Sequence, residues 1–218
     1  MLTIKAFVFN AFQENTYVIY DETKSCCIID PGCYEKAEKL ELMDYISSHS
    51  LKVKALWNTH CHIDHVLGNY FVKEHYKVEL SLHKIEVPYL QAVKAYASNY
   101  GFNQYEPAEP DIYLKENDWA TIGNQRLKIL FVPGHSPGHV AFYHEESKSL
   151  LAGDVLFYNS IGRTDLPGGN VDTLLNSIQQ ELFSLPDDVV VYPGHGPETS
   201  IGFEKRTNPF CAVSIHQK

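Results

Sequence analysis

One seven-residue stretch, Thr59-His60-Cys61-His62-Ile63-Asp64-His65, restricts this chain more than any other. It follows the apolar run Ala55-Leu56-Trp57, which reads as a short buried strand entering a polar loop. Four potential metal ligands in six residues cannot all reach one tetrahedral ion without severe backbone strain. His60 and His62, two residues apart, project to the same side of an extended chain and can share one cation. Asp64 and His65 fall where the next helix begins and are turned away from that pair, which suits them to a second cation. Two such ions, roughly 3.5–4 Å apart, clamp an attacking oxygen between two Lewis acids.

Three further strand ends supply the ligands that two ions need. Residues 127–132 lead into Pro133-Gly134-His135, Leu150-Leu151 into Ala152-Gly153-Asp154, and residues 189–192 into Pro193-Gly194-His195-Gly196. Each places one imidazole or carboxylate beside a glycine that lets backbone pass close to an ion. Imidazole suits borderline metals, and a carboxylate can bridge two of them, so two divalent ions are expected, zinc first, with iron or manganese as alternatives. Two dications, two carboxylates (Asp64 and Asp154) and one hydroxide leave a charge of about +1, enough to attract an anionic substrate. A structural zinc site is the competing interpretation, but such sites are usually cysteine-rich and closed. Seven N/O ligands leave positions open for water and substrate. Cys61, flanked by ligands, should face away from the metals, and Ser136 lies beside a histidine already committed to one. Neither reads as a nucleophile.

Composition narrows the function further. Eighteen basic residues against 27 acidic give a formal charge of -9, the opposite of the surplus that a nucleic-acid binder needs. No apolar run approaches the roughly 18 residues that span a bilayer, so a membrane role is not expected. The opening MLTIKAFVFN lacks the pattern of an export signal, and the expected compartment is the cytoplasm. The five cysteines, Cys26, Cys27, Cys33, Cys61 and Cys211, form no CxxC pair and fit reduced thiols better than a disulfide framework. Of the 11 histidines, His49, His75, His83, His144 and His216 are scattered among ordinary residues and read as surface or satisfied side chains.

The chain is expected to be one domain over 1–218. Its first 32 residues read as three strands joined by turns, closed by Asp30-Pro31-Gly32. Residues 34–49 have helical apolar spacing, 65–76 read as a second helix, and VELSLH as a strand. Residues 88–112 begin as a helix carrying Tyr89, Tyr96, Tyr100 and Phe102 and continue as a Pro-containing loop. This aromatic excursion is expected to be a lid or pocket wall, because it lies between two ligand segments. Strands resume at WATI, QRLKILFV, HVAFYHE, SLLAGDVLF and VVVYP, with a helix over 171–185. Alternating strands and helices, with hairpin-like strand pairs, indicate α/β (α+β) sheets covered by helices.

The strings HCHIDH, PGHSPGH, GDVLF and PGHG together resemble the metallo-β-lactamase superfamily, and specifically its glyoxalase II-like branch of hydroxyacylglutathione hydrolases. SIGRTDLPGG and IGFEKRTNPF are similar to short bacterial members of that branch. The resemblance covers nearly the whole chain. It implies a four-layer αββα sandwich with the metals at one edge of the paired sheets. It further implies that His60, His62 and His135 hold the first metal and that Asp64, His65 and His195 hold the second, with Asp154 bridging. The implied reaction is thioester hydrolysis, in which a hydroxide shared by the metals attacks the acyl carbon of a small anionic thioester. The thiol leaving group, with a pKa of about 8.5, departs without strong acid help. Asp30 and His139 are candidates to orient metal-bound rings from behind. Arg163 occupies the loop where related enzymes set a basic residue against a substrate carboxylate, with an ion pair to Asp165 as the local alternative.

Full-length glyoxalase II adds a C-terminal helical module that grips glutathione. The sequence ends at Lys218 without room for one, which leaves the thiol carrier open. A persulfide dioxygenase, similar in motifs but using one iron, is the main rival of another reaction class. A metal-dependent binding protein without turnover is the non-enzyme alternative. A β-lactamase is disfavoured by the Asp where that branch often has Cys, and a tRNA-processing nuclease by the charge. Oligomeric state is not legible in the sequence.

Overall fold

The structure, a computed structural model, describes residues 1–212; His216 lies outside them. Two six-stranded sheets form its centre. The first runs in chain order: β1 (Thr3–Phe9), β2 (Glu14–Tyr20), β3 (Ser25–Ile29), β4 (Lys52–Trp57), β5 (Leu80–His83) and β6 (Ile112–Leu114). The second begins with β7 (Trp119–Ile122), β8 (Gln125–Phe131), β9 (Val140–His144) and β10 (Ser149–Gly153). After a small hairpin, β11 (Leu156–Phe157) with β12 (Ser160–Ile161), it is completed by β13 (Val190–Pro193) and β14 (Thr199–Ser200), in the order β14-β13-β10-β9-β8-β7. The helices are α1 (Lys36–Ser48), α2 (Ile63–Val66), α3 (Asn69–Tyr76), α4 (Val87–Tyr96), α5 (Val171–Ser177) and α6 (Ile201–Thr207).

Strand periodicity builds the layers. On β3, Cys27 and Ile29 join Tyr17, Ile19, Trp57, Leu127, Ile129, Phe142 and Leu151 between the sheets. The alternate residues Cys26 and Ile28 face the other way, onto Leu42 and Ile46 of α1, Val72 of α3, and Leu90 and Val93 of α4. Adjacent residues on a strand point to opposite faces, so Cys26 and Cys27 lie in different cores; all five cysteines are free. The second sheet repeats the pattern: Leu130, Ala141 and Leu150 pack outward onto Leu174 and Ile178 and onto Ile201 of α6. The result is helix, sheet, sheet, helix. Each fully buried Leu, Ile or Phe in these cores contributes about 1.5–3 kcal/mol by leaving water, and Trp57 stacks on Phe142 at 5.1 Å across the inter-sheet space.

Local differences from the sequence reading have physical causes. The helix expected over 65–76 is two helices broken at Leu67–Gly68, where Gly68 lies against the Pro31 carbonyl and Cys33. The helix expected over 171–185 ends as α5 at Ser177 and continues as one π turn, Ile178–Leu182. The loop half of 88–112 contains the start of β6, whose register comes from parallel pairing with β5 rather than from its own three residues.

Strand direction positions the site. β9 is antiparallel to both β8 and β10, and β10 is parallel to β13, so β8, β10 and β13 all run the same way. Their carboxyl ends share one edge. Ligands in open α/β sheets characteristically bind beyond such ends.

Candidate metal centre

Four loops meet at that edge: the one after β4, and those after β8, β10 and β13. Together they bring all seven anticipated side chains into one space. Ligand atoms of His60, His62 and His135 lie within 4.8 Å of one another, and so do those of Asp64, His65 and His195. Asp154 stands between the sets. Its Oδ2 is 3.5 Å from Nε2 of His135 and 3.5 Å from Nε2 of His195, while its Oδ1 is 3.4 Å from Nε2 of His65.

These side chains fit bound cations on their own chemistry. His60 Nε2, His65 Nε2 and Asp154 Oδ1 are buried without a hydrogen-bond partner. All three sit within this cluster; His60 Nε2 has no compensating partner, at a cost of about 1–3 kcal/mol, while His65 Nε2 and Asp154 Oδ1 offset each other only by charge, at 3.4 Å. His62 Nδ1 and His135 Nε2 face each other at 2.8 Å. Gly194 lies so close that a Cβ there would overlap Asp154 Oδ1 and crowd His65 Cε1, so only glycine leaves the space open. Asp30, His60 and His65 also cluster within 4.8 Å. There, however, Asp30 addresses the backs of the rings and is already engaged by hydrogen bonds.

Those bonds aim the rings. Thr59 donates to Asp30 from both its N–H (2.7 Å) and its hydroxyl (2.5 Å). The hydroxyl oxygen can then accept from His60 Nδ1 (3.0 Å), a tautomer that frees His60 Nε2 for a ligand. Asp30 Oδ2 lies 3.3 Å from His65 Nδ1. It holds this place at the end of β3 with φ 49°, a left-handed conformation uncommon outside glycine. His139 acts differently from the expectation. Its Nε2 accepts the Asp154 N–H (3.0 Å) and its ring stacks on His60 at 4.7 Å, so it braces a carboxylate's backbone rather than a ring nitrogen.

Arg163 splits into two roles. Its carbonyl accepts from His135 Nδ1 at 2.7 Å, whereas its exposed guanidinium pairs with Asp165 through two bonds of 2.7 and 2.6 Å. His195 is oriented by the Phe12 carbonyl (3.1 Å). Asn15 fastens the same loop by donating from its amide to the carbonyls of Pro193 and Gly196, both at 2.9 Å.

Several of these residues went unread in the sequence. Glu14, fully buried with Oε1 3.8 Å from His65 Nδ1, sits in a stretch that reads as a turn. Asn58 donates to the His65 carbonyl (3.2 Å) and Asn10 to the Asp64 carbonyl (3.0 Å). Glu86 accepts bonds from two ligand loops at once. Only the Asn58-Thr59 pair, adjoining the histidines, carried a local signal.

Electrostatics separates the sets. Burial, reinforced by neighbouring imidazoles, pushes His60 well down and His62 to about 3; burial also lowers His135. These three imidazoles are neutral at pH 7. Burial opposes charge on His65 and His195 too, but carboxylates overcome it. Asp154 and Asp64 raise His65 well above its usual value and His195 to about 10. Both carboxyls are lowered in return against the effect of burial, mainly by His65.

A protein-family model described as "Metallo-beta-lactamase superfamily" matches residues 9–195. The chain belongs to that superfamily. It is 37% identical over 211 residues to the hydroxyacylglutathione hydrolase GloC of Haemophilus influenzae, covering 96% of this chain and 98% of that one. It is 30% identical to the human mitochondrial persulfide dioxygenase ETHE1 over 93% of this chain and 73% of that one. Among solved structures, BLEG-1, described as a B3 metallo-beta-lactamase, superposes with a TM-score of 0.88 at 36% identity, covering 97% and 100%. TTHA1623 in a di-iron-bound form gives 0.84 at 36% identity, covering 94% and 99%. The αββα sandwich expected from the motifs is the fold of this metallo-hydrolase superfamily.

Ligands must shed protons to bind a metal, so the two sets should load differently. Calorimetric Zn2+ titration of the metal-free protein at pH 7, in buffers of different ionisation enthalpy, should detect about two protons released as Asp64, His65 and His195 fill. Almost none should leave the all-histidine set. Equal release from both steps would contradict the charge distribution described.

Proposed function

We propose that this protein is a metal-dependent hydrolase of acyl thioesters, of glyoxalase II type. The observation that carries the reading is the presence of two complete ligand sets with Asp154 between them. A mononuclear iron enzyme such as a persulfide dioxygenase would need only one of the two ions these clusters can hold. His60, His62 and His135 would hold the first ion, Asp64, His65 and His195 the second, and Asp154 both. Bound dications supply Lewis acidity, bringing the pKa of a water toward neutrality and drawing charge from a carbonyl oxygen. Zinc suits the donor set; the di-iron form of TTHA1623 makes iron the alternative to test.

The chain's own residues account for the remaining requirements. A thiol departs as thiolate near neutral pH, so no acidic side chain is required over the leaving group. The rim supplies aromatic surface. Phe12, whose carbonyl orients His195, lies 5.9 Å from Tyr100 and 6.0 Å from Phe102, ring to ring. The Phe157 ring is 6.2 Å from His195 on another side. In this reading the exposed ring of Tyr100, backed by buried Phe102, would be the part of segment 88–112 that walls the pocket, and an apolar rim would keep water from the acyl chain. The Haemophilus relative is matched over 98% of its length and bears the name hydroxyacylglutathione hydrolase, which puts glutathione thioesters first among candidates. Free buried cysteines fit a reducing compartment, as the cytoplasm is.

The direct test is a screen of the Zn2+-loaded protein over S-D-lactoylglutathione, other acyl thioesters, a β-lactam and glutathione persulfide. Turnover of at least one thioester, abolished by a chelator and restored by metal, is expected. Oxygen uptake on the persulfide with one iron per chain, or turnover of the β-lactam alone, would contradict the proposal.

Arg163 provides a second test. Its exposed pair with Asp165 is screened by solvent and holds weakly, so a substrate carboxylate can displace it. Arg163→Ala should raise KM several-fold for anionic thioesters, leaving kcat and neutral thioesters nearly unchanged. An unaltered KM removes the binding role.

A further inference from the structure

Glu86 belongs to none of the motifs and ends a short turn, Lys84–Glu86, between β5 and α4. Its side chain is fully buried, and all three of its hydrogen bonds go to the ligand loops. Oε2 accepts the Cys61 N–H at 2.8 Å. Oε1 accepts the Ser136 hydroxyl at 2.5 Å and the Gly138 N–H at 2.7 Å. Cys61 stands between His60 and His62, and Ser136 follows His135. One carboxylate therefore holds the chain between His60 and His62 through a backbone N–H, and the loop of His135 through the hydroxyl of Ser136 and the N–H of Gly138.

The two loops so joined come from different sheets. One main-chain bond, Val140 N–H to the Thr59 carbonyl (2.9 Å), also links them directly; Glu86 ties them a second time, nearer the ligands. The sequence makes room for it. A Cβ on Gly138 would stand 2.9 Å from Glu86 Cγ and 3.0 Å from its Oε1, so the second glycine of PGHSPGH is required by the approach of this carboxylate. The second set has other supports: Asp30 behind His65, Asn58 and Asn10 on the carbonyls of His65 and Asp64, and the Phe12 carbonyl on His195.

We propose that Glu86 is the positioning residue of the first ligand set, fixing His60, His62 and His135 as one unit across the two sheets without touching metal or substrate. The inference rests on the reading of both sets as metal sites and assigns this residue to one of them. A partner that orients ligands from outside the coordination sphere typically governs metal affinity by about 10–100-fold, and here the effect should be confined to one site. Gln in place of Glu86 keeps the shape but sets an N–H2 against at least one of the three donors.

The test measures Zn2+ dissociation constants by chelator competition in two backgrounds. His195→Ala isolates the first set and His62→Ala the second. Adding Glu86→Gln should weaken Zn2+ binding about 10–100-fold in the first background and leave the second nearly unchanged, with the metal-free melting temperature recorded alongside. Should Glu86→Gln not fold, Ser136→Ala takes its place, keeping the carboxylate and two of its bonds; a smaller loss in the first background alone is expected. Equal weakening in both backgrounds, or none in the first, overturns the role of Glu86. If the His195→Ala protein binds no Zn2+ at all, the metal-site reading falls and this inference with it.

Discussion

Imidazole nitrogens and carboxylate oxygens buried together without hydrogen bonds are the constraint around which this protein is arranged. His60 Nε2, His65 Nε2 and Asp154 Oδ1 have been taken out of water and given no hydrogen bond. A fold tolerates such groups only if something else stabilises them. The αββα scaffold meets the geometric half of that requirement by ending β4, β8, β10 and β13 at one edge, where short loops carry the side chains inward. Both faces of both sheets are packed into buried cores, so the cluster sits on strand ends anchored by that packing rather than on long loops.

Around the cluster lies a ring of hydrogen bonds that makes each imidazole present a defined nitrogen. Asp30 acts through Thr59 on His60 and directly on His65; the carbonyls of Arg163 and Phe12 hold His135 and His195. His139 and Glu86 secure backbone rather than rings. Charge is distributed unequally: the all-histidine set is neutral, and the other pairs raised imidazoles with lowered carboxyls. This asymmetry follows from where Asp64 and Asp154 sit, and it gives the two positions different proton chemistry within one cavity.

What the sequence revealed tracks the range over which each interaction acts. The segments that converge on the candidate centre were legible because a strand end and an imidazole or carboxylate are near neighbours in the chain, and their type alone restricts the chemistry. The layer order followed from period-two alternation, as on β3 with Cys26 and Cys27. Glu14 and Glu86 stayed hidden because their meaning is purely tertiary. Glu86 lies 25 residues from Cys61 and 50 from Ser136 in the chain, and nothing near it signals either contact. β6 was missed for the same reason, since three residues acquire strand register only from β5. Arg163 shows a mixed case: its guanidinium does pair with nearby Asp165, while its carbonyl serves His135, a function no side-chain pattern records.

Whether the seven converging side chains enclose two ions decides what this protein can do. Crystals grown with Zn2+ and measured on either side of the zinc absorption edge address that directly. Two anomalous peaks are predicted, one among His60, His62 and His135, the other among Asp64, His65 and His195, with Asp154 reaching both. A single peak, or density confined to surface histidines, would contradict it.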